Sequence, residues 1–221
     1  MIKRDASSII CQHDTLNPQY LDGGDSANRT GIYAFVGSKL DQNLVTRFVT
    51  LSGECIRHPE QIINRNPNNF SRDQLLPLVA GLKRSRQYHL CAKIFYTHKK
   101  RWFFCQNTHF HPSGIRKECP NRTDLLHPGN IWHLILCAKL YRYYWFAPIG
   151  YLFQIFDIIF SCFIRPKSEQ NQYFIQFAVS GLLPFYLCCH PDFNLSMIRY
   201  WGGWRDQIEI AEAIIDYCEH Y

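Results

Sequence analysis

The 221-residue sequence contains no internal repeat and no low-complexity tract, and only 19% of its residues are charged. The lack of a repeat excludes solenoids and propellers, which are built from similar consecutive units. The low charge, together with 47% hydrophobic residues, excludes an intrinsically disordered chain. We therefore predict a single domain over residues 1–221 with a hydrophobic core.

Recognisable nucleic-acid-binding motifs are also missing. No zinc-finger, RNP or basic-zipper pattern occurs, and the formal net charge is only +6. The basic residues are scattered along the chain apart from one stretch between Lys83 and Arg101. We therefore do not expect nucleic acid to be the partner.

The beginning of the chain lacks the apolar core of a secretory signal peptide, because Met1 is followed by charged and polar residues up to Asp14. We expect a cytoplasmic protein, with membrane association as an alternative. The ten cysteines are then expected to be reduced. Most of them lie within apolar runs, where a thiol behaves as a small hydrophobic side chain.

Apolar periodicity and capping residues predict a mainly α-helical fold. A helix over 26–35 follows the turn at 22–25, and Gly37 marks its end. Ser71 and Gln74 have the spacing of a capping box at the start of another helix, which contains Pro77. The other predicted segments are helix or irregular structure over 44–51, helix over 86–98, loop over 107–129, and helices over 131–141 and 205–219.

The chain divides into a polar-motif half over 14–130 and an apolar helical half over 131–221. Two runs in the second half, 143–164 and 173–189, approach the length of about 20 residues that crosses a bilayer. They predict either a transmembrane hairpin or a long apolar central helix or hairpin buried in a soluble core. Asp157 and the prolines inside the runs favour the soluble core, in which Asp157 pairs internally.

Three polar strings, far apart along the chain, precede the apolar half. They contain Asp22, Asp25 and Arg29, then Arg57 and His58, and then Arg72, Asp73 and Gln74. In a helical domain, loops at one end bring helix N-termini together, and their free N–H groups and positive dipole ends bind anions or hydroxyl-rich ligands. We therefore expect the three strings to meet in one pocket.

Asp25, Asp73 and His58 are the candidate catalytic residues. Two carboxyl groups in different environments, with a histidine nearby, suffice for general acid/base hydrolysis. The candidate substrate-binding residues are Asp22, Arg29, Arg57, Arg72 and Gln74, with the arginines as clamps for charged substituents. The structural alternative is that Asp25 or Ser26 caps one helix and Asp73 complements the dipole of another.

A second set of residues, Cys105, His109, His111 and Cys119, offers zinc ligands. Its spacing matches no common zinc module, so we expect no metal or other cofactor and keep zinc as an alternative. Cys55 and His58 form a third combination, a nucleophile and a base three residues apart. Nothing in the sequence positions a third member for such a pair.

Three strings together resemble a group of helical proteins encoded by bacteria and their viruses: Gly-Gly-Asp-Ser-Ala-Asn-Arg over 23–29, Arg-His-Pro over 57–59, and Phe-Ser-Arg-Asp-Gln over 70–74. The resemblance covers residues 14–165. It implies a helical fold in which these motifs lie near one another, and it implies no particular activity. Ser-Arg-Asp-Gln also resembles segments of (α/α) toroid glycan-processing enzymes, which implies a toroid-like arrangement.

These observations favour a hydrolase-like protein that acts on a saccharide or another hydroxyl-rich polymer through carboxylate acid/base chemistry. The alternative is a non-enzymatic accessory protein of a bacteriophage or bacterium, associated with a membrane or a partner protein. In that case, the polar strings are structural and the apolar half performs the function.

Overall fold

A computed structural model describes residues 26–60, 65–107, 122–163, 170–189 and 214. This part of the chain is mainly helical, as predicted. Its helices are α1 (Ser26–Val36), α2 (Lys39–Leu44), α3 (Arg72–Arg84), α4 (Tyr88–Lys100), α5 (Pro128–Cys137), α6 (Ala147–Phe163), α7 (Gln170–Ser180) and α8 (Leu183–Cys189). Two 3-10 helices cover Val45–Phe48 and Tyr141–Phe146, and the predicted helix over 205–219 lies outside the described residues apart from Ile214.

Helices α1 and α3 cross at very short distance at the centre of the domain. A Cβ atom on Gly31 would lie 2.4 Å from the carbonyl carbon of Pro77, and one on Gly81 would lie 2.7 Å from the carbonyl oxygen of Gly31. The crossing therefore requires glycine at both positions. Helix α1 ends at Gly37, as predicted, where a φ of 117° is accessible to glycine.

The buried hydrophobic residues form two clusters, and α1 and α3 contribute to both. One cluster also includes α4 and α5 and contains Leu78, Ile94 and Trp132. The other also includes α7 and α8 and contains Ile32 and Phe177. Helix α5 packs against α3, α4, α6 and α7.

The segment predicted as loop over 107–129 contains regular structure at both ends. Strand β1 (Phe104–Asn107) pairs antiparallel with β2 (Arg122–Leu125), with Phe104 opposite Leu125. Helix α5 begins at Pro128, whose fixed φ suits the first position of a helix. The loop prediction was wrong here because prolines and glycines that start helices were interpreted as breaks.

The long apolar central helix or hairpin does not form as predicted. The first apolar run becomes a 3-10 helix followed by the 17-residue α6, and Gly181, with a φ of 74°, separates α7 from α8 in the second. Along the described ranges, no helix has both the length and the apolar character needed to cross a membrane. Helix α6 is not buried on all sides either, since it buries Gln154 and Ile158 and exposes several large apolar side chains.

Candidate functional site

The structure joins the described parts of the three polar strings by hydrogen bonds. The backbone N–H of Ala27 in α1 donates to the carbonyl oxygen of Arg57 at 3.0 Å. The buried Arg57 side chain donates in turn from Nε to the carbonyl oxygen of Asn69 at 2.7 Å and from a terminal nitrogen to Ser71 Oγ at 2.9 Å. Arg57 therefore connects all three strings. These side-chain N–H groups bind other atoms of the protein.

Asn28 makes a second connection between α1 and α3. Its backbone N–H donates to Gln74 Oε1 at 3.0 Å, and its side-chain Nδ2 donates to the carbonyl oxygen of Asp73 at 2.7 Å. Ser71 is the N-cap residue of α3, as predicted, but its side chain does not cap the helix. The predicted capping box is thus wrong, because Arg57 binds one of its two side chains and Asn28 binds the other.

The predicted site residues differ in their position and burial. Asp22 and Asp25 lie outside the described residues. Arg29, Arg72 and Asp73 are partly buried at the starts of α1 and α3, whereas Gln74 is fully buried.

The buried side chain of His58 makes a local hydrogen bond within the second string. Its Nδ1 accepts a hydrogen bond from the backbone N–H of Glu60 at 3.0 Å. Burial lowers the pKa of His58, and the charged groups that act on it are Glu60, Arg47 and Arg65. None of these three charged residues belongs to α1 or α3.

Arg72 instead faces a polar cluster that sequence reasoning did not identify. Its positive charge acts on His127, the N-cap residue of α5, and on Asp157 of α6. His127 Nε2 and Asp157 Oδ2 are 3.5 Å apart, and each side chain is 22% exposed. The site thus combines an arginine, a histidine and a carboxyl group from α3, α5 and α6.

The capping hydrogen bond defines the tautomer of His127. The backbone N–H of Gly129 donates to His127 Nδ1 at 3.1 Å. The neutral ring therefore carries its proton on Nε2, which faces Asp157. Protonation of Nδ1 would break this cap, so the fold favours the neutral imidazole.

The pKa values of His127 and Asp157 are shifted in opposite directions. Burial, assisted by the positive charge of Arg72, lowers the pKa of His127 to about 4. Burial raises the pKa of Asp157 to about 7, although Arg72 and the Gln176 amide both favour its anion. The Gln176 amide lies near the Asp157 carboxyl group, but its Nε2 atom does not form a hydrogen bond with it. Near neutral pH, the site contains a neutral histidine beside a carboxyl group that is poised to gain or lose a proton.

Three fully buried amide side chains line the cluster. Asn130 Nδ2 donates to Gln176 Oε1 at 2.7 Å, and Gln154 Nε2 donates to the carbonyl oxygen of Gly129 at 3.1 Å. Within the described part of the chain, Asn130 Oδ1, Gln154 Oε1 and Gln176 Nε2 have no hydrogen-bond partner, and the same holds for His127 Nε2 and Asp157 Oδ2. The cluster therefore presents both unpaired donors and unpaired acceptors, which is unusual for buried groups.

Gly129 brings these side chains together. A Cβ atom at this position would lie 3.0 Å from Gln154 Cγ, 3.0 Å from His127 Cε1 and 3.1 Å from Gln176 Nε2. The ring of His127 also stacks on Phe153, with centroids 6.4 Å apart and an interplanar angle of 21°. An aromatic side chain that is partly exposed therefore borders the polar cluster.

One feature of the sequence points to the cluster. Gln154, Asp157 and Gln176 are the strongly polar residues inside the two apolar runs, and a polar residue in an apolar run needs a partner in the core. The expectation that Asp157 pairs internally agrees with its position beside His127. His127 was missed because it belongs to the segment predicted as loop.

The described residues do not support the zinc site or the Cys55–His58 pair that the sequence offers. Cys105 is buried in the core near Cys55, whereas His109, His111 and Cys119 lie outside the described ranges. Among the residues that the structure describes, no group of three or more His, Cys, Asp and Glu side chains is arranged to hold a metal ion. Burial raises the pKa of the Cys55 thiol well above its usual value, which disfavours the nucleophilic thiolate.

No protein-family model, curated protein or solved structure matches this chain. The resemblance to helical proteins of bacteria and their viruses therefore stays a prediction.

Proposed function

We propose that the protein is a hydrolase-like enzyme that acts on a saccharide or another hydroxyl-rich polymer, with Asp157 as the general acid. The observation that carries this proposal is the His127–Asp157 pair, with 3.5 Å between Nε2 and Oδ2, in a partly buried position. A general acid is most effective when its pKa is close to the working pH, and the pKa of Asp157 is raised to about 7.

The polarity of the cluster supports a hydroxyl-rich ligand. A hydroxyl group both donates and accepts, and the unpaired atoms of Asn130, Gln154 and Gln176 include both kinds. Phe153, stacked on His127, offers an apolar ring against which the face of a sugar can pack. His127 acts as a positioning residue, since its Nε2 proton faces the carboxyl group of Asp157.

Acid/base hydrolysis needs a second carboxyl group, and Asp73 and Asp25 are the candidates for this role. Asp73 belongs to the first turn of α3, directly after Arg72, whose charge acts on the pair. Arg72 and Arg29 are proposed to bind charged substituents of the polymer. A toroid-like arrangement of the helices is also part of this proposal, because it would place several helix N-termini at the same end of the domain.

The test is polymer cleavage by Asp157→Asn. The wild-type protein is expected to release reducing ends from at least one polysaccharide in a panel, with a rate that decreases as the pH rises above about 7, because Asp157 loses its proton. Asp157→Asn keeps the shape of the neutral acid but has no proton to transfer. We expect it to fold normally and to lower kcat by about 10²- to 10⁴-fold.

Glu60→Gln is the control, since Glu60 forms an exposed ion pair with Arg47 outside the cluster. Asp73→Asn tests the second carboxyl group in the same assay. Equal rates for wild type and Asp157→Asn, with both proteins folded, would remove Asp157 from the mechanism. If the wild-type protein cleaves no polymer in the panel, the proposed hydrolase activity is contradicted.

A further inference from the structure

Helix α6 and the 3-10 helix before it expose large apolar side chains where an ordinary surface helix carries polar ones. The inward side carries Gln154 and Ile158, both fully buried, and directs Asp157 to His127. The outward side carries large apolar residues that define the α6 apolar face: Trp145, Ile149, Leu152, Phe156, Ile159 and Phe160. Their spacing of three and four residues forms one continuous stripe.

The exposure of this face is large. Trp145 is 70% exposed, Phe160 is 62% exposed and Phe156 is 56% exposed. The α6 helix has 17 residues, so the stripe extends over about 25 Å at 1.5 Å per residue. Contiguous apolar surface of this kind marks a docking site for a membrane or for another protein.

The charged residues of the segment that carries the face are basic, with one exception. Between residues 125 and 168, Asp157 is the single acidic residue in the sequence, and it points inward to His127. Lys99 Nζ donates to the Tyr143 hydroxyl at 2.9 Å, and Arg142 lies 4.9 Å from the centroid of the same ring. Both cations are exposed, and the Tyr143 ring that they contact precedes Trp145, the first residue of the α6 apolar face, by two residues in the sequence.

We propose that the α6 apolar face docks on the surface of an anionic phospholipid bilayer, with the helix lying in the plane of the interface. Bulky aliphatic and aromatic side chains insert at the boundary of headgroups and acyl chains, while lysine and arginine contact anionic headgroups. A partner protein is a poorer fit, because the rim of a protein interface is normally polar, whereas the charged side chains that contact Tyr143 beside this face are both cations. This proposal goes beyond the catalytic one and does not depend on it.

The test uses the full-length protein and vesicles of two compositions, phosphatidylcholine alone and phosphatidylcholine with phosphatidylglycerol. We expect the protein to co-sediment with the anionic vesicles and to be released from them by high salt, because salt screens the headgroup contacts. The double substitution Phe156→Gln with Phe160→Gln is expected to lower the partition coefficient by about tenfold or more. Far-UV circular dichroism and the melting temperature should stay unchanged, since both side chains are exposed.

Leu51→Gln is the matched control, because Leu51 is a 94% exposed apolar residue outside the face. It should bind vesicles as the wild type does. Equal binding of the double variant and the wild type would overturn the proposal, as would equal affinity for both vesicle compositions. A wild-type dimer that the double variant converts to a monomer, without vesicle binding by either, would assign the face to a second copy of the chain instead.

Discussion

Pro77 leaves one carbonyl group of α3 without its usual partner. Proline has no N–H group, so the carbonyl oxygen four residues earlier, that of Asp73, receives no hydrogen bond from within the helix. Asn28 supplies this bond from Nδ2 at 2.7 Å. The proline therefore creates an acceptor in the middle of the polar strings, and the asparagine of the first string uses it to attach α1 to α3.

This relation predicts a specific coupling between positions 28 and 77. Asn28→Ala should destabilise the wild-type protein by about 1 to 3 kcal/mol, because it leaves the Asp73 carbonyl group unpaired. In a Pro77→Ala background, the restored backbone N–H can donate to this carbonyl group, and the cost of Asn28→Ala should be smaller. Urea unfolding of the two single variants and the double variant measures the difference. Equal costs in both backgrounds would mean that the asparagine does not replace the missing helical bond.

At the scale of elements, the candidate site depends on how closely α6 approaches α5. A Cβ atom on Gly150 would lie 2.3 Å from the Cβ atom of Trp132, so the helices touch at this glycine. One and two turns later, Gln154 and Asp157 reach Gly129 and His127 at the start of α5. The crossing at Gly150 therefore determines the distance between the acid and the histidine.

Gly150→Ala is expected to separate the helices and to destabilise the protein by about 2 kcal/mol or more, because the Cβ atom of Trp132 cannot move without its backbone. The neighbouring substitution Ile149→Ala, on the exposed side of the same turn, should change the free energy of unfolding by about 0.5 kcal/mol at most. Chemical denaturation of both variants gives the comparison. Similar losses at the two positions would show that the crossing tolerates extra volume.

At the scale of the molecule, four of the histidines that the structure describes are held in environments that favour the neutral ring. Burial is the main cause of the lowered pKa at His58, His98, His127 and His133, and the pKa of His133 falls to about 3. Each of these groups binds a proton more weakly in the folded state than in the unfolded state. Unfolding therefore takes up protons as the pH falls below about 6.5, and the protein loses stability in acid. Asp157 acts in the opposite direction between pH 3.8 and about 7, because its pKa is raised on folding.

His133→Gln should reduce this acid sensitivity. The amide nitrogen of glutamine can replace His133 Nε2, which contacts the carbonyl oxygen of Leu76 at 3.0 Å, but glutamine takes up no proton on unfolding. We expect the slope of stability against pH to decrease by about 1.4 kcal/mol per pH unit between about pH 6 and about pH 4.5. Urea unfolding at several pH values measures the slope, with the exposed His89→Gln as the control. An unchanged slope in His133→Gln would contradict a neutral, buried His133.

The predictions from sequence were accurate where the local pattern has one physical interpretation. Gly37 ends α1 because its positive φ is accessible to glycine, and Ser71 occupies the N-cap position of α3. They were inaccurate where the same residue types serve two purposes. Pro128 and Gly129 were interpreted as a loop, but the proline starts α5 and the glycine makes room for three side chains.

The amino-acid sequence alone determined the helical class, the position of several helix ends and the presence of polar residues inside apolar runs, because these depend on neighbours within a few residues. Only the tertiary structure decided which polar residues meet. Asp157 lies beside His127 and Arg72 because α6 crosses α5 at Gly150, while Arg57 and Gln74 bind other parts of the chain. Such pairings depend on helix crossings between distant segments, and a periodic pattern contains no information about which helices touch.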